Sequence, residues 1–373
     1  MIFSNKKIDT TQYCFYYNHS IVQFTHEYKY FGIIFTCNGK LKYAAEQLAD
    51  RARKAFYATK HSLPFYDKLS VKTLLKLYSA IIEPIILYSS EIWIADFNLN
   101  INSCDQLPFE KLQHSIFNDI LGVQKKASNL AIKYELGTFP ICFKALLSMF
   151  KYYKRLQNHD VENGIKNPIL VAAKLEDDNL YNTGTQENWQ GLLKRLRNKL
   201  NLPSLDISEC TFHNYLKNYY IDNINMQLQN TEFSKCGKLL FYSKIRKSYE
   251  LQDYLKYPIV KVVRSKLTKL RLSAHPLEIE TGRYSKPCIP RECRFCSFCK
   301  NTVEDELHFL YDCPIYKDIR KKYYPLNIYN TNDDISKENH CKVLCNPASV
   351  VHARRLCEFL HECFELRSKS RLL

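Results

Sequence analysis

The chain has 373 residues, 46% of them hydrophobic and 13% aromatic, with 27 Tyr and only 9 Gly. That composition excludes a disordered or low-complexity polypeptide and leaves room for two or three domains. Lys and Arg number 54 against 38 Asp and Glu, a formal net charge of +16. A basic excess of this size favours a polyanionic partner, with nucleic acid ahead of an acidic membrane surface.

Met1–Lys7 is charged, with no apolar run behind it, so no secretory signal is expected. The 15 cysteines therefore read as reduced thiols of an intracellular protein, in cytoplasm or nucleus, serving as ligands or core fillers. Residues 1–40 predict a short β segment: Cys14–Tyr17 and Ile21–Phe24 flank Asn18-His19-Ser20, Tyr28–Thr36 is aromatic and β-branched, and Asn38-Gly39 closes the run. Residues 41–160 predict a helical block. Ala45, Leu48, Ala52, Ala55/Phe56, Thr59 and Leu63 form one apolar stripe. Ser70 caps a second helix that Pro84 should kink. The apolar run Ala80–Ala95 contains Glu83, Pro84 and Glu91, so it reads as a buried helix and not a membrane span. Helices follow at about Asp105–Leu121, at Ser128–Leu136 with Gly137 as its stop, and from near Pro140 to about Gln157.

Residues 161–255 form a helical connector with a polar loop over Glu176–Gln186 and helices at Asn188–Leu200 and Thr211–Gln229. Tyr215, Tyr219, Tyr220, Tyr242, Tyr249, Tyr254 and Tyr257 could stack on bases, but scattered aromatics more often serve the core. Residues 256–325 carry the strongest chemistry. From Pro258 to Lys300 there are ten Lys/Arg against three Asp/Glu. Within Ile259–Leu272 the stripe Ile259, Val260, Val263, Leu267, Leu270 leaves Lys261, Arg264, Lys269 and Arg271 on the remaining surface, where phosphates could be met. Residues 326–373 read as a polar linker, Asn327–Asn339, and a last helix at about Ser349–Leu366. His340, Cys341, Cys345, Cys357 and His361 lie there without completing a ligand pattern.

Cys296, Cys299, His308 and Cys313 follow the order C-x2-C-x8-H-x4-C, the donor set of a closed tetrahedral zinc site. Thr302 with Asp305 three residues on predicts the cap of a short helix carrying His308, and Pro314 starts the next helix with Cys313 at its N-terminus. Cys293 is an alternate for the first pair, since Cys293-x2-Cys296 has the same spacing. Four good ligands leave no open position, and the H-x-E…P-C-x-x-C deaminase pattern is absent, so the metal reads as structural. Buried free cysteines are the competing reading.

The run Leu267–Arg320, LTKLRLSAHPLEIETGRYSKPCIPRECRFCSFCKNTVEDELHFLYDCPIYKDIR, resembles the carboxy-terminal zinc-binding region of non-LTR (LINE-type) retrotransposon reverse transcriptases. EYKYFGIIF (Glu27–Phe35) is similar to the strand near their primer grip, and the segments from KAFYATKHSLPF to ILGVQKKASNLAIKYELGTFPI are similar to their thumb. The resemblance implies a mainly α fold: a palm remnant over 1–40, a thumb-like bundle and a zinc module. It implies primer-grip roles for Tyr30, Phe31 and Gly32, metal ligation by Cys296, Cys299, His308 and Cys313, and an RNA or DNA partner. Arg283, Arg291 and Arg294 join the basic helix as expected nucleic-acid contacts. The chain departs from the family in having no aromatic-x-Asp-Asp motif before Tyr28, where Asp9 is the lone aspartate. Two-metal transfer needs at least two carboxylates. The expectation is a C-terminal fragment that binds nucleic acid, without polymerase activity, membrane contact or a small-molecule substrate.

Overall fold

The structure, a computed structural model, describes residues 14–97, 104–123, 127–163, 167–183, 189–233, 237–324 and 334–370. The expectations for Met1–Lys7, for Asp9 and for the first half of the linker fall outside these residues. Helices dominate, and the strands among the described residues form two small antiparallel hairpins near the N-terminus. Two compact units interleave along the sequence. One comprises the described residues within Met1–Thr59, Tyr78–Gln113 and Phe139–Tyr220; the other comprises those within Lys60–Leu77, His114–Thr138 and Ile221–Leu373.

In the first unit, β1 (Phe15–Tyr17) pairs with β2 (Ser20–Val22), and β3 (Glu27–Tyr30) pairs with β4 (Ile33–Thr36). Both hairpins turn through two residues at positive φ, Asn18-His19 and Phe31-Gly32, which matches the twist of the paired strands. The single extended run expected over Tyr28–Thr36 is thus folded back on itself at Phe31-Gly32. The helix Lys42–Ser62 buries Ala44, Ala45, Leu48, Ala49, Ala52 and Phe56, close to the expected stripe. Before Pro84 the backbone adopts a π-helix over Tyr78–Ile82, because proline can neither donate to the preceding turn nor fit against its carbonyl. The core is aromatic. Trp93 packs on Phe97 and Phe109, Phe139 stacks on Phe143, and Phe150 stacks on Phe212 with centroids 4.0 Å apart. The helix Pro168–Thr183 runs through residues 176–183, the described part of the stretch expected as a polar loop. Most of its side chains whose burial is described are exposed, so the segment has no apolar stripe to announce it.

The second unit is built around Lys261–Arg271, which packs on Val350–Ser370. At its centre lies an ion pair with no exposure on either side chain: Arg271 Nε donates to Glu135 Oε1 at 2.5 Å and Nη2 to Oε2 at 3.2 Å. Arg271 Nη1 donates to the Cys345 carbonyl at 2.7 Å and to Asn346 Oδ1 at 3.1 Å, and the Tyr242 hydroxyl donates to Glu135 Oε2 at 2.9 Å. This network ties the helix Asn129–Leu136 to Leu240–Ile245, to Lys261–Arg271 and to the segment after Asp334–Leu344. Gly137 ends the first of these in the left-handed region at φ +62, as its position predicted. A Cβ there would sit 2.6 Å from the Glu250 backbone, so close approach as well as conformation requires glycine. The expected linker Asn327–Asn339 gives way to helix from Asp334.

Arg271→Ala would leave the Glu135 carboxylate buried and unpaired, costing about 3–5 kcal/mol. Removing both charges in Arg271→Met/Glu135→Leu should restore most of that loss. Urea unfolding midpoints of the two variants and the parent chain provide the check.

Candidate metal centre

Cys296 and Cys299 sit on a tight knuckle. Phe295 and Val303 form an antiparallel bridge, Cys296 N–H donates to Thr302 O at 2.9 Å, and Lys300 N–H donates to Cys296 O at 3.0 Å. Lys300 turns the corner at φ +58. The chain then enters a short helix whose cap is Asp305, not Thr302: Asp305 Oδ1 accepts the His308 N–H at 2.8 Å. The Thr302 hydroxyl instead meets His308 Nδ1 at 2.9 Å. Cys313 lies at the N-cap of the turn beginning at Pro314, as expected.

These elements bring the four ligand atoms of Cys296, Cys299, His308 and Cys313 within 4.8 Å of one another, a group that could hold a metal ion. Cys296 Sγ lies 3.8 Å from Cys313 Sγ, and Cys299 Sγ lies 3.4 Å from His308 Nε2. A tetrahedral ion with bonds of about 2.3 Å to sulfur and about 2.0–2.1 Å to nitrogen requires S–S edges of about 3.8 Å and S–N edges of about 3.5 Å. The geometry is compatible with zinc. When Nδ1 donates to Thr302, the Nε2 lone pair is left facing the thiols, the tautomer a metal needs. Cys293 is exposed on a preceding 3₁₀ turn and outside the group, so the alternate pairing is not the one formed.

Buried charges brace the knuckle from behind. Glu304 is fully buried and forms a two-pronged pair with Arg367, in which Nη2 meets Oε2 at 2.6 Å and Nη1 meets Oε1. Glu304 Oε2 also accepts the Glu278 N–H at 2.8 Å, and its Oε1 lies 3.5 Å from Cys296 Sγ. Arg320 donates to the Cys313 carbonyl, and Arg294 donates to the carbonyls of Ile279 and Ile289. Burial, reinforced by Glu304 and Cys313, pushes the Cys296 thiol up to about 12. Burial also raises Cys313. For Cys299 burial acts upward, but the Asn301 N–H and hydrogen bonds from Cys296 and Thr302 prevail and lower it. Burial lowers His308, keeping its imidazole neutral and able to ligate.

The expected phosphate contacts divide differently from the sequence reading. Arg264, Arg271 and Arg294 are buried, not outward-facing. Arg264 donates to the carbonyls of Ile259 and Ile120. Lys261 pairs with Asp67 at 2.7 Å and lies 3.6 Å from Asp119, and Arg283 pairs with Glu280 at 3.2 Å. Lys269 and Arg291 are half-buried. Two residues of the expected apolar stripe fare otherwise: Val263 is half-buried, and Val260 is 57% exposed. The helix is enclosed on more than one side, so it draws its arginines inward to satisfy carbonyls. Tyr30 and Phe31 are exposed at the tip of the second hairpin, and the carbonyls of Phe31 and Gly32 accept from Tyr88 and Arg51. Around His340 no ligand group assembles among the described residues: its ring meets the Tyr311 hydroxyl, while Cys341 and Cys345 face each other at 3.9 Å.

Sequence spacing could not reveal Glu304, Arg367 and Thr302 as supports, because only the fold brings them to the ligands. It also missed a second buried group in the first unit, Cys104, Glu110 and Cys142, whose ligand atoms lie within 4.8 Å of one another. There Glu110 Oε1 accepts the Cys142 N–H at 2.8 Å at the start of the helix Ile141–Asn163. Comparison of the chain with protein-family models, curated proteins and solved structures returned no match.

Because burial holds two of the thiols protonated, a bound divalent ion must displace their protons. Zinc affinity should fall at least about tenfold per unit as pH drops from 8 to 6. Competition with a chromophoric chelator at each pH measures this. Cys299→Ser should abolish stoichiometric binding, while Cys293→Ser should leave it at one ion per chain.

Proposed function

We propose that the chain is a nucleic-acid-binding protein organised on a structural zinc module, of the kind that ends non-LTR retrotransposon reverse transcriptases, and that it has no polymerase activity of its own. The observation that carries this reading is the convergence of Cys296, Cys299, His308 and Cys313 within 4.8 Å of one another, with the Cys296–Cys313 and Cys299–His308 edges at tetrahedral lengths, in one of the segments where the resemblance is most specific. Three thiolates and an imidazole close the coordination shell, so the ion stabilises the fold and activates no water.

Around that segment the outward cations include Lys300, Lys317, Lys321, Arg354 and Arg355, all exposed. They replace the buried arginines as the side chains that would meet phosphates. Contacts of this type position a backbone without reading sequence, so RNA and DNA of many sequences should bind. In this reading the residues after the hairpins serve as a thumb-like support, and Tyr30, Phe31 and Gly32 occupy the primer-grip position of the family. A zinc-stabilised protein-interaction module is the second reading, favoured by the exposed aromatic and aliphatic residues Phe15, Tyr16, Tyr17 and Ile21 on the first hairpin. A subunit working with a separately encoded palm is the third.

Binding to duplex should weaken steeply between about 50 and 200 mM salt. Arg354→Ala/Arg355→Ala should reduce the slope of log K against log salt by about two without altering zinc content. A salt-independent affinity, or a double variant with an unchanged slope, would defeat the proposal. Primer extension on poly(rA) by the purified chain would defeat its negative part.

A further inference from the structure

The four candidate ligands are not equally sheltered. Cys296 is 1% exposed, Cys313 0% and His308 6%. Glu304 lies against the Cys296 sulfur, and Arg320 against the Cys313 carbonyl. Cys299 is only half-buried. It lines a groove of about 580 Å³ together with His308, Thr302 and Pro314 among others, whereas neither Cys296 nor Cys313 lines it. A small solute that enters there meets a single ligand sulfur.

The lining selects the solute. Asp305, Asp312 and Glu338 stand on the walls with no lysine or arginine among the described lining residues. Lys337 and Lys244, which pair with Asp312 at 2.8 Å and with Glu338 at 2.6 Å, lie outside that lining. Three carboxylates repel anionic reagents and admit an uncharged one. Sulfur chemistry then sets the reaction. A ligating cysteine is a thiolate, the form that attacks an electrophile. Accessible thiolates beside a second cysteine are the ones oxidised reversibly. Cys299 has such a neighbour in Cys296, three positions back on the same knuckle, with its sulfur within 4.8 Å. The pair must close to about 2 Å to bond, and loss of the ion removes what holds the two sulfurs apart.

We infer that the centre is a peroxide-responsive switch: Cys299 is oxidised first, Cys296 closes a disulfide on it, and the ion is released. The Cys299 sulfur attacks one oxygen of hydrogen peroxide, the O–O bond breaks, and the departing hydroxide takes a proton to become water. The Cys296 sulfur then attacks the sulfur of the Cys299 sulfenic acid. An S–S bond forms, the S–OH bond breaks, and the hydroxide leaves as a second water after protonation. Two thiolates, one peroxide and two protons thus give one disulfide and two waters, with two electrons passing from sulfur to oxygen. His308 and Cys313 remain as donors, two where the closed shell needs four. A thiol reductant reopens the disulfide and restores the site. The inference rests on the metal reading of these residues, and the two failures are distinct: a chain that takes up no zinc defeats both, while a zinc-loaded chain that keeps its ion in peroxide defeats the switch alone.

The test treats the zinc-loaded full chain with hydrogen peroxide. A chromophoric chelator follows zinc release, and mass spectrometry after alkylation maps the cysteines. The ion should leave as a Cys296–Cys299 disulfide accumulates, and dithiothreitol should return both to the starting state. Dimedone, which traps sulfenic acids, should mark Cys299 ahead of Cys296 and Cys313. Cys299→His keeps four donors without the accessible sulfur and should release zinc at least about tenfold more slowly. Cys293→Ser, outside the ligand group, should release it at the parent rate. Should Cys299→His fail to hold zinc, the disulfide map and the dimedone label on the parent chain decide alone. Zinc retained in peroxide, a disulfide joining Cys299 to any other cysteine, first oxidation at Cys296 or Cys313, or slowed release in Cys293→Ser overturns the inference.

Discussion

The fold of the second unit depends on the rule that a buried charge must be paired. Glu135 and Glu304 are both fully buried, and each is held by one arginine through a two-pronged contact, Arg271 for the first and Arg367 for the second. A carboxylate placed this deep fixes where the guanidinium must be, to within hydrogen-bond tolerance, and so fixes the helix that carries it. Arg264, Arg294 and Arg320 do the same for backbone carbonyls. Apolar contact alone would tolerate small slips of one helix on another; these forks do not.

That use of arginine changes what the net charge means. A formal +16 suggests a uniformly cationic surface. Several of those charges instead lie inside, answered by glutamates or carbonyl dipoles, and Lys60, Lys244 and Lys261 are paired with acids. Exposed cations remain on Lys317–Tyr323 and Val350–Ser370, among other places. Three of the candidate metal ligands, Cys296, His308 and Cys313, are buried beside this arrangement, while Cys299 is half-buried.

Much of this was legible in advance, for identifiable reasons. The ligand order C-x2-C-x8-H-x4-C is a local constraint, and Cys296, Cys299, His308 and Cys313 came together as spacing required. Gly137 and the Lys42–Ser62 stripe were equally readable, because capping and periodicity act over a few residues. Failures came where distant chain decides. The wheel of Lys261–Arg271 assumed one buried face, while the partners of Arg264 and Arg271 lie far away in sequence at Ile120 and Glu135. Nothing near Glu304 in the sequence announced its pairing with Arg367. The helical state of residues 176–183 was invisible because a mostly exposed helix has no stripe to detect.

The reach from Arg367 back to Glu304 has a temporal side. Ribosomes deliver Cys296 through Cys313 well before Arg367, so a nascent chain can offer all its ligands while Glu304 still lacks its counter-charge. In that interval the acid stands beside Cys296 Sγ without its cation, and because burying it unpaired is costly it stays hydrated. Arrival of Arg367 lets the carboxylate shed that water and seal the back of the site. Full burial of the site thus depends on the helix Val350–Ser370 as well as on its thiols.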